Sequence, residues 1–339
     1  MVCCYFGALP AYVRLFLASC RTNPSIDFLF VSDAEPPPDL PGNVQWYGCS
    51  LEELGHRISD RLGFEVQLPN GRKLCEFKPT WGAVFEDLLA PFDFWGLCDI
   101  DVILGDLRRF LTAERLERTD LLSFGGPWWL SGAIQVYRNS SALRRLYARA
   151  PGHRAIMQDP TRYWWFDESC YRWDKRFPGV EALVAAGLPV SITDVAKDAA
   201  ARGEIRLHQD LSISDHWDRT RVVMGEGGRL WDVGAGEERV LYHFVYMKKR
   251  PFFHIPDWAD LPPRFFITRA GLSEHPPGAV FRRLPFEVDR LLGGMPQAVP
   301  YYARALRSKV LRSVGVRAVG ACGGADALFW ELGTVPVLG

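Results

Sequence analysis

The chain has 339 residues, 48% of them hydrophobic and 24% charged, so it is a globular protein with enough apolar residues for a sizeable core. Its 40 basic and 40 acidic residues cancel, which argues against nucleic acid as a partner because no overall field attracts a polyanion. Neither a secretory signal nor an apolar span for a membrane is visible, and the eight cysteines show no C-x-x-C spacing, so a cytoplasmic location is expected.

The N-terminal part of the chain alternates short apolar runs, typical of buried strands, with segments of helical periodicity. The predicted strands lie at 2–6, 26–31 and 44–46, and the predicted helices at 11–20, at 50–62 and from 79 onward. Ser50 and Glu53 have the spacing of a helix capping box. Pro79 marks the expected start of the next helix, because proline is favoured in the first turn of a helix. This order predicts an α/β fold with a mostly parallel sheet covered by helices.

Two acids follow the next apolar run, 94–98, which has the composition of a central strand. Asp99 and Asp101 are separated only by Ile100, so both carboxylates can reach one hard cation if the strand ends there. Mg²⁺ and Mn²⁺ prefer oxygen ligands and often share them with substrate phosphates. The pair is therefore a candidate metal site, with a solvated turn after a strand as the alternative.

The position of these acids in the fold also indicates ligand binding. In open sheets of this kind ligands bind beyond the carboxyl ends of the strands, where the loops after Phe6, Val31 and Cys98 should meet. Tyr5, Phe6 and Asp33 then become candidate ligand-binding residues. No G-x-G-x-x-G follows the first strand and no Walker loop is present, which argues against a nicotinamide dehydrogenase or a P-loop NTPase.

A histidine on a second apolar run is the next candidate ligand. His243 lies within 241–245, and Lys248 and Lys249 follow five and six residues later. Neutral imidazole is a common metal ligand, and ammonium groups at this distance could hold phosphates bridged by the metal. The alternative is a core histidine followed by a solvated basic turn. Only seven of the forty basic residues are lysines, and four of them lie beside the candidate segments, at Lys73, Lys78, Lys248 and Lys249.

Aromatic residues in the middle of the chain are candidates for contact with a ligand. The pairs Trp128-Trp129 and Trp164-Trp165 have faces that suit the apolar faces of sugars, although ordinary core packing is the alternative. Asp167 and Glu168 follow the second pair. Either carboxylate could act on an acceptor hydroxyl, so both are candidate catalytic residues, while acids at a helix N-terminus are the alternative.

The stretches Lys73–Pro79, Trp81–Phe85 and Phe94–Asp101 together resemble a bacterial family of unknown specificity placed among the A-type glycosyltransferases. The opening Tyr5-Phe6-Gly7 is also similar, and the similarity covers roughly residues 1 to 255, with looser likeness to glycosyltransferase families 8 and 32. The resemblance implies an A-type glycosyltransferase fold, a divalent metal, Mn²⁺ or Mg²⁺, and a nucleotide-sugar donor.

Individual positions carry this resemblance. Asp99 and Asp101 match the D-x-D motif that binds the metal with the donor diphosphate, and Glu76 stands where related enzymes usually have Asp near the donor sugar. His243 and Lys249 have the spacing of the family 8 pattern, in which the His completes the metal site and the Lys binds diphosphate, although the Gly between them is absent. The residues expected to contact the donor are Tyr5, Phe6, Asp33, Lys73, Glu76, Lys78, Lys248 and Lys249.

These observations predict a metal-dependent hexosyltransferase that uses a UDP-sugar to extend a polysaccharide or glycolipid. One alternative is a haloacid-dehalogenase-like phosphatase, in which Asp99 would be the nucleophile and Asp101 the general acid, although Ile103 and Leu104 stand where a hydroxyl is usual. The other is an inactive carbohydrate-binding scaffold.

The chain changes character near residue 256, which divides it into a predicted catalytic domain, 1–255, and a C-terminal extension, 256–339. The extension is rich in proline and has a plausible helix at 301–318 with several basic residues and no acid. Such a helix could lie on anionic lipid beside a lipid-linked acceptor, or pack on the catalytic domain with its basic side in water.

Overall fold

The structure is a computed structural model that describes residues 1–172, 177–215, 222–245, 247–250 and 253–277. The strands, in chain order, are β1 Val2–Cys4, β2 Phe28–Ser32, β3 Val44–Gly48, β4 Phe94–Cys98, β5 Val102–Leu104, β6 Leu121–Ser123, β7 Ile134–Arg138, β8 Leu207–Gln209, β9 Ile213–Ser214, β10 Val223–Glu226, β11 Arg229–Asp232, β12 Glu237–Arg239, β13 Leu241–His243, β14 Arg264–Thr268 and β15 Gly271–Ser273.

Helices connect these strands. The α-helices are α1 Val13–Arg21, α2 Leu51–Leu62, α3 Trp81–Val84, α4 Glu86–Leu89, α5 Leu107–Phe110, α6 Ala113–Arg118, α7 Ser141–Arg144, α8 His153–Gln158, α9 Val180–Ala185 and α10 Ile192–Ala201. Short 3-10 helices run over Gly71–Thr80, Leu146–Arg149 and Met247–Lys249. No helix in the described ranges is both long and apolar enough to cross a membrane.

The largest sheet has seven strands in the order β3-β2-β1-β4-β7-β6-β8. Strands β3, β2, β1 and β4 run parallel, β7 is antiparallel to both of its neighbours, and β6 pairs with β8 in parallel. The prediction of an α/β fold with a mostly parallel sheet is therefore confirmed.

Both faces of this sheet are covered, as the apolar composition of its strands requires. All five residues of β2 are buried, and they alternate between two cores because successive side chains of a strand point to opposite faces. Phe28 and Phe30 pack with α1 on one face, while Leu29 and Val31 pack with α2 on the other.

The helix at Leu51–Leu62 begins with the predicted capping box, in which Ser50 and Glu53 each accept from the other's backbone. The helix predicted from Pro79 is instead preceded by the 3-10 helix Gly71–Thr80, capped by Asn70. Pro79 lies inside this 3-10 helix, two residues before α3 begins. Trp81, the first residue of the α-helix that follows, is buried in the core.

Two smaller sheets complete the described part of the chain. One contains β5, β13 and β9, and the other is antiparallel with the order β12-β11-β10-β14-β15. Strands β14 and β15 lie beyond the predicted boundary at residue 255, and β14 pairs with β10. The basic helix predicted at 301–318 lies outside the described residues.

Candidate active site

The loops after β1, β2 and β4 leave the same edge of the large sheet, because these strands run parallel. The backbone N–H of Gly7 donates to Oδ1 of Asp33 over 2.8 Å and so joins the first two loops. Gly7 has φ +99°, a conformation that glycine adopts without strain. Tyr5, Phe6 and Asp33 thus lie at the edge where the sequence predicted a ligand.

Asp99 and Asp101 occupy the turn between β4 and β5, two strands that belong to different sheets. The N–H of Asp99 donates to the carbonyl of Ala133 over 2.9 Å, which continues the pairing of β4 with β7. Ile100 is buried in the core between the two acids. This anchor leaves both flanking carboxylates to converge on the same side of the turn.

His243 reaches the acids through strand pairing. Strand β13 is antiparallel to β5, and its register places His243 opposite Val102, directly after Asp101. The N–H of Phe244 donates to the carbonyl of Asp101 over 2.9 Å. Nε2 of His243 consequently lies 3.3 Å from Oδ2 of Asp101 and 3.9 Å from Oδ2 of Asp99.

These three side chains fit a divalent cation. One ligand atom of Asp99, one of Asp101 and one of His243 all lie within 4.8 Å of one another. Neighbouring ligands in an octahedral Mg²⁺ site are about 3 Å apart, so a small movement of the side chains suffices for coordination. Two carboxylates with one imidazole are ligands that Mn²⁺ and Mg²⁺ accept.

The charges of these groups support one another. Burial alone would raise the pKa of Asp101, but His243 and Lys248 outweigh it and hold that pKa well below its usual range. Burial would lower the pKa of His243, yet the carboxylates of Asp101 and Asp99 raise it. His243 therefore takes up a proton readily, and a metal ion has to compete with that proton.

Lys78 links the metal ligands to the predicted catalytic acids. Its Nζ lies 2.7 Å from Oδ1 of Asp99 and 3.3 Å from Oδ2 of Asp167, and it donates to the carbonyl of Gly132 over 2.8 Å. Burial would lower the pKa of Lys78, but the charge of Asp99 raises it well above its ordinary value. Lys78 is therefore a permanent cation at the centre of the site.

Asp167 and Glu168 lie beside Lys78 and differ in accessibility. Asp167 is buried and accepts from the hydroxyl of Tyr163 over 3.0 Å, whereas Glu168 is only partly buried and accepts from the N–H of Gly132 over 2.8 Å. Burial raises the pKa of Asp167. Burial and the charge of Asp167 raise the pKa of Glu168 to about 7, a value suited to proton transfer near neutral pH.

Gly132 is a candidate site residue that the sequence did not reveal. A Cβ at this position would lie 2.7 Å from Oδ2 of Asp167 and 3.0 Å from Oε1 of Glu168, so only glycine lets both carboxylates approach. The backbone hydrogen bond between Asp99 and Ala133 brings Gly132 close to the acids. Only knowledge of this strand pairing would have identified Gly132. Local sequence contains no trace of this pairing.

Lys73 and Glu76 hold the segment that carries the predicted catalytic acids, Asp167 and Glu168. The ammonium of Lys73 donates to the carbonyls of Ile156 and Arg162 over 2.9 and 3.0 Å. Glu76, fully buried, accepts from the backbone N–H groups of Trp164 and Phe166. Burial and the charge of Asp167 raise the pKa of Glu76 to about 7. These contacts are structural, and a role of Lys73 and Glu76 in donor binding stays a prediction.

The two lysines after His243 are placed differently. Lys248 donates from Nζ to Oδ2 of Asp101, and its side chain is 25% exposed. Lys249 is exposed. The spacing favours Lys249 as the phosphate ligand, whereas the contact with Asp101 favours Lys248.

The second tryptophan pair lies in a strained loop. Trp165 has φ +57° and Tyr171 has φ +61°, values that L-residues rarely adopt, and their rings stack with centroids 4.5 Å apart. Trp164 donates from Nε1 to Asp159 over 3.0 Å. Backbone strain of this kind persists where surrounding contacts enforce it and is common at functional sites. Trp128 and Trp129 form a tilted pair with centroids 6.1 Å apart.

Comparison with known proteins gives two kinds of result. No curated protein matches the chain by sequence. Similar solved structures include the galactosyltransferase LgtC in complex with donor and acceptor sugar analogues, at 12% identity over 48% of this chain and 67% of that chain, with a TM-score of 0.27. Another is the apo form of mouse xyloside xylosyltransferase 1, at 10% identity over 71% of this chain and 96% of that chain, with a TM-score of 0.37.

Similarity as low as this does not transfer an activity, which has to be argued from the site itself. The stronger match is to a family, over residues 1–272, which is most of the sequence. The chain therefore belongs to the family of unknown function DUF6625.

Proposed function

We propose that this chain is a metal-dependent glycosyltransferase with an A-type fold, which moves a sugar from a nucleoside diphosphate, most simply UDP, to a saccharide or glycolipid acceptor. The observation that carries the proposal is the convergence of Asp99, Asp101 and His243 at the carboxyl edge of a parallel sheet. His243 comes from a strand distant in the sequence, so its proximity to the two acids of the turn is a property of the fold.

The charges around this cluster suit departure of a nucleoside diphosphate. When the bond between the sugar and the phosphate oxygen breaks, negative charge develops on the leaving group. Mn²⁺ or Mg²⁺ held by Asp99, Asp101 and His243 would stabilise that charge as a Lewis acid. Lys248 and Lys78 are the ammonium groups bonded to these acids, so they are the side chains best placed to assist.

On the acceptor side, Glu168 is the more accessible of the two predicted catalytic acids, and its raised pKa suits removal of a hydroxyl proton. Asp167 is buried and orients Lys78 and Tyr163. Trp165 and Tyr171 flank these acids with a rigid aromatic surface suited to a sugar ring. We also propose that the segment 301–318 contacts anionic lipid and that the protein is cytoplasmic.

The test is release of nucleoside diphosphate from a panel of sugar nucleotides, measured with Mn²⁺ and with a chelator. Mn²⁺-dependent release, lost in Asp101→Asn, supports the proposal. Hydrolysis of p-nitrophenyl phosphate instead would favour the phosphatase. Binding of saccharides without turnover of any donor would favour the scaffold.

A further inference from the structure

The carboxylate oxygen that a metal ion needs is already bound by a lysine. Oδ2 of Asp101 lies 3.3 Å from Nε2 of His243, and the same oxygen accepts from Nζ of Lys248. Metal held by Asp101 and His243 would therefore share this oxygen with an ammonium group or displace it. Lys248 and the metal are alternative cations for one carboxylate.

The backbone keeps Lys248 close to Asp101 whichever cation is bound. The N–H of Phe244 donates to the carbonyl of Asp101 over 2.9 Å, and the N–H of Met247 donates to the carbonyl of Phe244 over 2.7 Å. Met247 is buried, which anchors the short helix that carries Lys248. The side chain of Lys248 is 25% exposed, so its ammonium group can turn toward a bound ligand without a change of the backbone.

Asp99 and Asp101 each have an ammonium partner before any ligand arrives. Asp101 has its ammonium partner in Lys248, and Asp99 has one in Lys78 at 2.7 Å. A divalent cation that enters alone brings further positive charge close to these two ammonium groups, in a partly buried place where charges interact strongly. A diphosphate that enters with the metal supplies the missing negative charge.

We propose that Lys248 is the resident cation of Asp101, that the metal displaces it, and that the displaced ammonium then binds the phosphates of the donor. The metal and the nucleoside diphosphate accordingly bind well only together, and Lys248 is the residue that couples them. This inference rests on the proposed function, since it assumes a metal at Asp101 and a diphosphate beside it.

The test measures binding of Mn²⁺ alone, and of Mn²⁺ in the presence of UDP, from the paramagnetic resonance signal of the free ion. In Lys248→Met, Mn²⁺ alone should bind tighter than in the wild-type protein, by on the order of tenfold, because the competing charge is gone. The increase in Mn²⁺ affinity caused by UDP should shrink by a similar factor. Lys248→Arg keeps the charge and should retain the wild-type pattern. Lys249→Met shows which of the two neighbouring lysines acts, and Lys197→Met, at a lysine that donates to the carbonyl of Pro127, is the control.

The outcomes separate this inference from the proposed function. If the wild-type protein binds Mn²⁺ with UDP but Lys248→Met binds Mn²⁺ alone no tighter, Lys248 is not the resident cation and the proposed function still stands. If Lys249→Met, and not Lys248→Met, binds Mn²⁺ alone more tightly than the wild type, Lys248 is again not the resident cation. If the wild-type protein binds no Mn²⁺ even with UDP, the metal site fails and both ideas fall. Lys248→Gln repeats the measurement should Lys248→Met not fold.

Discussion

Asp99 connects the two halves of the site at the scale of single residues. Its Oδ1 lies 2.7 Å from Nζ of Lys78, toward the catalytic acids, and its Oδ2 lies 3.9 Å from Nε2 of His243, among the metal ligands. One carboxylate thus links the proposed donor side of the site to its proposed acceptor side. Changes at single atoms in this region should affect chemistry far more than stability.

Gly132→Ala tests the close approach of the catalytic acids. The new Cβ would collide with Asp167 and crowd Glu168, so we expect turnover to fall by about 100-fold from misplaced groups. Steady-state assay of sugar transfer or donor hydrolysis measures the loss. Gly42→Ala is the control, because a Cβ there meets nothing within 4 Å. Equal activity of the two variants would remove Gly132 from the site.

The pH dependence of metal binding tests His243. Since the carboxylates raise the pKa of His243, lowering the pH adds a proton that competes with the metal, and Mn²⁺ affinity should fall as the pH drops through that raised pKa. His243→Ala should bind Mn²⁺ more weakly and show a flatter pH profile. Titration of Mn²⁺ with UDP present measures both effects, with exposed His56→Ala as control. Overlapping profiles of His243→Ala and wild type would make His243 a core histidine.

At the scale of elements, the sequence predicted what local patterns encode and missed what depends on pairing. The strand before Asp99 and the capping box at Ser50 follow from short-range periodicity, and both are confirmed. Lys248 and Asp101 are 147 positions apart, and only the register of β13 on β5 brings them together. The close approach at Gly132 and the contacts of Lys73 with the carbonyls of Ile156 and Arg162 likewise join residues that are distant in the sequence.

Glu76→Gln tests the element that carries the catalytic acids. The pKa of folded Glu76 is raised to about 7, so between about pH 5 and about pH 7 the folded state keeps a proton that the unfolded chain releases. By linkage, wild-type stability falls as the pH rises through this window, by at most about 1 kcal/mol per pH unit. The free energy of unfolding of Glu76→Gln should fall less than that of the wild type over the same pH range.

Urea unfolding at several pH values in that window measures the difference between Glu76→Gln and the wild type. The exposed acid Glu86, changed to Gln, serves as the control. Parallel stability curves for Glu76→Gln and the wild type would show that Glu76 titrates normally in the folded protein. In that case burial of its carboxylate would carry no energetic cost.

At the scale of the whole molecule, the site lies where the large sheet meets the three-stranded sheet. Strand β4 belongs to the large sheet, whereas β5 and β13 belong to the three-stranded sheet. Ile100, between the two acids in the sequence, is buried in the core. The ligands are thus positioned by packing and by paired ammonium groups, independently of a metal. We therefore expect a chelator to leave the protein folded and to remove only ligand binding.

The most direct test of the central claim is the shift in melting temperature caused by UDP with and without Mn²⁺. Binding to the folded state raises the melting temperature by mass action, so the wild-type protein should gain about 2 to 5 °C with both ligands and almost nothing with UDP and a chelator. Asp101→Asn should lose the gain, while Asp87→Asn, in an exposed ion pair with Arg57, should keep it. A full shift without Mn²⁺, or an undiminished shift in Asp101→Asn, would contradict the metal and nucleotide site proposed here.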